Sequence, residues 1–125
     1  MSLKTRLTTG LAAAAVMAGS VPLAAAANFG AIAYSNTTGA YGYSYDYGSR
    51  RSAEQAALAN CRSNGSGCKV VIWFQNSCGA LAIGSDFGWG AAWASSRSQA
   101  ERSAMRYCRQ NSSGCHIAAY SCTTR

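Results

Sequence analysis

His116 is the one imidazole in a chain of 125 residues that carries only four carboxylates, Asp46, Glu54, Asp86 and Glu101. A small hydrolase built from these would set Glu54 or Glu101 against His116 as base and acid, with arginines holding an anionic substrate. The spacing speaks against it. Glu54 and Glu101 fall at equivalent places near the starts of two helical patterns, where a carboxylate faces the positive end of the helix dipole. His116 follows a cysteine at the start of a strand pattern, as an edge or surface residue would. There is no Gly-x-Ser-x-Gly elbow to activate a serine, and no phosphate loop, dinucleotide fingerprint, paired-histidine motif or EF-hand loop. The expectation is no catalytic set and no cofactor, with the Glu54 or Glu101 and His116 hydrolase as the minor alternative.

Six cysteines, at 61, 68, 78, 108, 115 and 122, are the other reactive groups. A zinc site would need close Cys pairs, but no Cys-x-x-Cys is present and His116 stands alone. An even set points instead to three disulfides and an oxidising compartment.

Two groups of side chains are suited to binding. Tyr41, Tyr43, Tyr45 and Tyr47 alternate strictly along one segment, and Trp89 and Trp93 lie in the second half. The expectation is that most of this stripe is a buried sheet face on which an alanine-rich helix packs, with the strand ends Tyr41 and Tyr47 left accessible. Arg50, Arg51 and Arg97 sit near helix starts, and Arg62, Arg102, Arg106 and Arg109 lie farther along. Tyr41, Tyr47, Trp89, Arg50 and Arg97 are the candidate binding residues. The formal charge of +7, two units of it from Lys4 and Arg6, leaves +5 on the rest of the chain, which suits weak attraction to an anionic envelope polymer. No basic run confers nucleic-acid specificity.

The elements that must position these groups come from a repeat. Residues 1–27 read as a signal peptide: Lys4 and Arg6 open it, Leu7 to Ala27 is uncharged, and Ala25-Ala26-Ala27 offers small residues at the cut. Asn28, not Cys, follows, which argues against a lipid anchor. The segment is too poor in Leu, Ile and Phe to stay in a bilayer, so no integral membrane segment is expected after cleavage. Sliding the rest on itself by 47 residues aligns eleven positions, among them Ser49 with Ser96, Arg50 with Arg97, Glu54 with Glu101, Cys61 with Cys108, Asn64 with Asn111 and Cys68 with Cys115. Gly30-Ala31-Ile32-Ala33 matches Gly79-Ala80-Leu81-Ala82 in a slightly shifted frame. The units run over about 30–78 and 79–122, with Cys122 as the counterpart of Cys78.

Each unit reads as strand, strand, helix, strand. Gly30 to Tyr34 and the tyrosine segment form a hairpin about the turn Asn36-Thr37-Thr38-Gly39. Ser49 caps a helix with a stripe of Ala53, Ala56, Ala57 and Cys61; Ser96, with Gln99 at capping-box spacing, caps a second with Ala100, Ser103, Ala104, Tyr107 and Cys108. The apolar run Cys68 to Gln75 suits a central strand covered on both faces. Fifteen cysteine pairings are possible. The repeat favours Cys61 with Cys68 and Cys108 with Cys115, each closing a helix end on the next strand, which leaves Cys78 and Cys122 to tie the halves together.

The strings Ala31-Ile32-Ala33-Tyr34-Ser35, Ser49-Arg50 leading into an alanine-rich helix, Gly67-Cys68-Lys69-Val70-Val71 and Asn76-Ser77-Cys78-Gly79-Ala80-Leu81-Ala82 resemble the bacterial secreted family called domain of unknown function 4189. That resemblance implies a small exported α+β domain without an agreed catalytic site. In the second unit His116 replaces Lys69 and Tyr120 replaces Trp73. The combined expectation is a disulfide-bonded α+β domain of two tandem pseudo-symmetric repeats, sharing one sheet or two packed sheets. It would act as a non-enzymatic binding module of the envelope or extracellular space, its partner a protein or an anionic envelope polymer. The alternative binding role is an inhibitor or immunity-type protein that blocks an exported hydrolase with a protruding loop, Ser35 to Ala40 or Gly84 to Gly88.

Overall fold

The computed structural model describes residues 27–124, so the signal peptide expected over 1–27 lies, but for Ala27, outside the described residues. The elements are β1 (Phe29–Tyr34), β2 (Tyr41–Tyr47), α1 (Arg50–Arg62), β3 (Lys69–Gln75), β4 (Cys78–Ile83), β5 (Trp89–Ala94), α2 (Arg97–Asn111) and β6 (His116–Cys122). The chain is α+β, and the two units have the same path. Each is a three-stranded antiparallel sheet, β2-β1-β3 in the first half and β5-β4-β6 in the second, with its own helix on one face. The other faces stack together, β2 against β6 and β5 against β3. The layers therefore run α1, first sheet, second sheet, α2. No helix among the described residues is long and apolar enough to cross a membrane.

Three apolar zones follow from this order. Small residues fill the helix–sheet layers: Ala31, Ala33, Ala53, Ala57 and Cys61 in one, Ala80, Ala82, Ala100, Ala104 and Cys108 in the other. Larger ones, Ile32, Tyr34, Phe74, Leu81 and Ile83, fill the space between the sheets. Serine caps begin both helices, Ser49 accepting from the Ser52 amide at 3.1 Å and Ser96 from the Gln99 amide at 3.3 Å. The Gln99 side chain instead receives the Ser95 hydroxyl.

Four expectations are corrected. The run from Cys68 to Gln75 is not a central strand: β3 lies at a sheet edge, with Trp73 exposed. The central strands are the short segments β1 and β4, each paired with a neighbour on both sides, and β4 is buried throughout. All three expected disulfides are present, but Cys78–Cys122 does not tie the halves together. Cys78 opens β4 and pairs with Cys122 on neighbouring β6, inside the second sheet. Its repeat equivalent is therefore the Phe29–Gln75 pair of β1 and β3, and Cys122 is the counterpart of Gln75. The halves are held instead by the inter-sheet core, in which the Phe74 ring fills the space over Gly30 and Gly79.

The fourth correction concerns the tyrosines. Helix α1 does not pack on them; it packs on the other face of β2, on Gly42 and Ser44. A Cβ on Gly42 would overlap the backbone of Ala57 and Cys61, and one on Gly90 would overlap Ala104 and Cys108. The Ser44 hydroxyl donates to the Ala53 carbonyl at 2.7 Å. Period two then turns the tyrosines away from the helix, and because β2 is an edge strand the inter-sheet core covers only the first of them.

Candidate functional site

Tyr43 is 43% exposed, Tyr45 55% and Tyr47 41%, whereas Tyr41 is half-buried against the inter-sheet core. Tyr43 and Tyr45 form one wall of a groove of about 320 Å³, and Tyr120, Ser121 and Cys122 of β6 form the other. The buried Ser121 hydroxyl donates to the Ser44 carbonyl at 3.2 Å, pinning the two strands across the sheet gap at the groove floor.

Arg97 is stacked on the Tyr120 ring, its guanidinium carbon 3.5 Å from the centroid. Its Nε also donates to Glu101 at 2.8 Å, and that bond chiefly holds the guanidinium protonated beyond its ordinary range. The first half repeats the device, with Arg50 4.5 Å over Trp73 and bonded to Glu54 at 2.9 Å. Glu54 and Glu101, near the helix starts as expected, serve a neighbouring arginine in the second helical turn; neither lies in the first turn, where the dipole acts most strongly. The two helices cover opposite outer faces, so these carboxylates are not brought together. His116 is exposed at the start of β6.

On its outer side β2 borders a second concavity, of about 740 Å³, reaching the end of α1. Asn60 donates there to the Tyr43 carbonyl at 2.9 Å and Asn64 to the Tyr41 carbonyl at 3.3 Å. Asn111 makes the equivalent bond to Trp89. These amides occupy outward carbonyls that an edge strand would otherwise offer to another strand. At the end of β2, Asp46 adopts a left-handed φ of 58° beside the irregular pairing of β1 and β2. Its carboxylate accepts from the Thr124 amide and hydroxyl, both at 2.7 Å, and the amide bond holds it below the usual carboxylate range. Tyr47, beyond this bend, is exposed as expected.

The hairpin loops lie together at the opposite end. Phe87 has a φ of 69°, is 39% exposed, and its ring sits over Gly39 of the first hairpin. The Tyr34 hydroxyl donates to the Phe87 carbonyl at 3.0 Å. Burial, followed by the nearby Asp86 charge, raises the Tyr34 phenol above its usual range. Asp86 itself is held low by the Ser112 hydroxyl and the Gly88 amide. Ser35 and Ala40 are buried, so only the tip of the first loop, residues 36–38, protrudes.

The candidate binding residues are therefore dispersed. Trp89 packs edge-on against Tyr34 at 6.1 Å in the inter-sheet core, Arg50 belongs to the Trp73 stack, and Arg97 reaches the tyrosine groove through Tyr120. Tyr43, Tyr45 and Tyr120 were not among them. Their signal is the size of their neighbours: Gly42 and Ser44, like Gly90 and Ala92, mark the face of each hairpin strand that a helix approaches.

The family model for "Domain of unknown function (DUF4189)" matches residues 29–122, nearly all the described chain. The chain belongs to that family. This DUF4189 chain is similar to the NMR structure of Rv1813c from Mycobacterium tuberculosis, with 28% identity, a TM-score of 0.56, and coverage of 76% of this chain and 74% of that one. No curated protein matches it.

Proposed function

We propose that this DUF4189 chain is a secreted, disulfide-stabilised, non-enzymatic binding module of the bacterial envelope or extracellular space, and that the groove of Tyr43, Tyr45 and Tyr120 is its contact surface. The observation that carries this reading is the exposure of Tyr43 and Tyr45 on a strand whose other face is covered by α1 at Gly42 and Ser44. The fold does not require Tyr43, because Ala91 takes its place opposite Leu81 in the second half, as Tyr43 lies opposite Ile32. Burying a side chain of this size against a partner contributes about 1.5–3 kcal/mol when complete, and tyrosine and arginine are enriched among residues that dominate interfaces. Three intramolecular disulfides support a place outside the cytoplasm.

A second reading, an inhibitor that inserts a loop into an exported hydrolase, is favoured by Phe87, presented on a left-handed residue between bonded neighbours. One experiment separates the two. The oxidised protein is immobilised as wild type, Tyr43→Ser/Tyr45→Ser and Phe87→Ser, and exposed to envelope and extracellular fractions. Loss of a specifically captured component in the double tyrosine variant alone supports the groove. Loss in Phe87→Ser alone transfers the role to the loop, and retention in both removes both readings.

A further inference from the structure

The carboxylates of the described residues are all engaged: Glu54 with Arg50, Glu101 with Arg97, Asp46 with Thr124, and Asp86 with Ser112 and Gly88. Arg102, Arg106 and Arg109 of α2 are left without an acidic partner. They stand at helical spacings of four and three residues, a row spanning about 10 Å at 1.5 Å per residue. All three line a groove of about 550 Å³ beside β6, with Met105 and Ile117 as half-buried apolar lining. Glu101, at one end, is held by Arg97.

The repeat supplies an internal comparison. In α1 the residues equivalent to Arg102 and Arg106 are Gln55 and Ala59, while Arg62 matches Arg109, Leu58 matches Met105 and Val70 matches Ile117; Arg51 stands at the place of Ser98. Helix α1 seats on its sheet in the same way without the two arginines. Packing therefore does not call for them.

We infer that this α2 face is a binding site for an acidic polysaccharide. Guanidinium forks pair with carboxylate or sulfate groups in bidentate geometry, and Met105 and Ile117 receive the apolar face of a sugar ring. No aromatic side chain lines the groove, which disfavours single-stranded nucleic acid held by base stacking. A concave channel along a helix suits a chain better than a flat bilayer. The site is separate from the tyrosine groove, so either can fail without the other.

The test measures fluorescence anisotropy of a labelled heparin oligosaccharide with the oxidised protein over a range of salt. Arg102→Gln/Arg106→Ala installs residues that α1 already tolerates, so the variant folds. It is expected to weaken binding by about tenfold or more at low salt and to flatten the salt slope by about two. The reciprocal Gln55→Arg/Ala59→Arg variant should tighten binding, and Tyr43→Ser/Tyr45→Ser should leave it unchanged. Unaltered affinity in Arg102→Gln/Arg106→Ala overturns the inference, as does loss of binding in the tyrosine variant. So does wild-type binding of oligo-dT or phosphatidylglycerol vesicles as tight as that of heparin at the same salt.

Discussion

Replacing Gly42 by alanine tests the contact that decides which face of β2 is free. The added Cβ would enter space held by the Ala57 and Cys61 backbone, which moves only if α1 lifts from its sheet. Overpacking of a tight core costs about 1–3 kcal/mol, and rigid neighbours place Gly42→Ala at the upper end. Lower chain entropy in the unfolded state returns about 0.4–1 kcal/mol, leaving a net loss of about 2 kcal/mol. For a domain of this size that lowers Tm by roughly 8–16 °C. Gly48→Ala is the control, since nothing lies within 4 Å of its added carbon, and it should gain only the entropic term of about 0.4–1 kcal/mol. Gly90→Ala should lose as much as Gly42→Ala, and the two losses should add because the sites lie in opposite outer layers. Urea unfolding of the oxidised proteins, followed by far-UV circular dichroism, gives the values. A Gly42→Ala midpoint equal to wild type would refute the seating of α1 on Gly42, and with it the reason the tyrosines face outward.

Other expectations bear on the strand ends. Thr124 lowers the folded pKa of Asp46 below its ordinary 3.8, so the stability it contributes is complete above that value and is lost as pH falls through the folded one. Asp46→Asn should remove that acid dependence, read as a flatter plot of urea midpoint against pH below about 4, and should speed exchange of the Thr124 amide. Asp86, lowered chiefly by Ser112, has the same sign, and Ser112→Ala should bring its carboxyl up toward the ordinary range in an NMR titration. Phe29→Cys with Gln75→Cys occupies the pair equivalent to Cys78–Cys122 and should form a fourth bridge, visible by non-reducing mass mapping. About 2–4 kcal/mol of added stability is expected, reduced by loss of the Phe29–Trp73 ring contact; persistent free thiols would contradict the register.

The duplication, the strand–strand–helix–strand unit and the Cys61–Cys68 and Cys108–Cys115 pairings were legible in the sequence because they depend on local spacing: a serine cap, an alanine stripe, a seven-residue turn between cysteines; Cys78–Cys122, 44 residues apart, followed as the remaining pair. Long-range order was not. The apolar run of β3 reads as buried on both faces, yet Arg50 covers Trp73 from one side and solvent reaches the rest, a relation that no periodicity encodes. The tyrosine stripe misleads for a related reason. Alternation shows that two faces differ, but the larger side chains do not identify the face a helix occupies when that helix is alanine-rich and settles on glycine. Tyr120 and Tyr43 are 77 residues apart in the chain, and only the stacking of β6 on β2 makes them neighbours.

Two copies of one unit in one molecule also separate what the fold demands from what it merely carries. Gly42 and Gly90 seat the helices, Asn64 and Asn111 cover the edge strands, and Arg50–Glu54 and Arg97–Glu101 brace the helix starts. Each is duplicated, as expected of parts that hold the same architecture twice. Where the halves differ at the surface, that explanation is absent: Tyr43 against Ala91, Arg102 against Gln55, Arg106 against Ala59. A tyrosine half exposed to water, or a row of guanidinium groups without acidic partners, is not needed to seat the helix, since the counterpart half packs without it. These unmatched residues border two distinct grooves, one aromatic and one cationic with an apolar lining. The division is chemical as well as spatial, because aromatic contact is largely insensitive to salt whereas a guanidinium row is weakened by it. A ligand held by both would show both signatures in one titration, and ligands held separately would show one each.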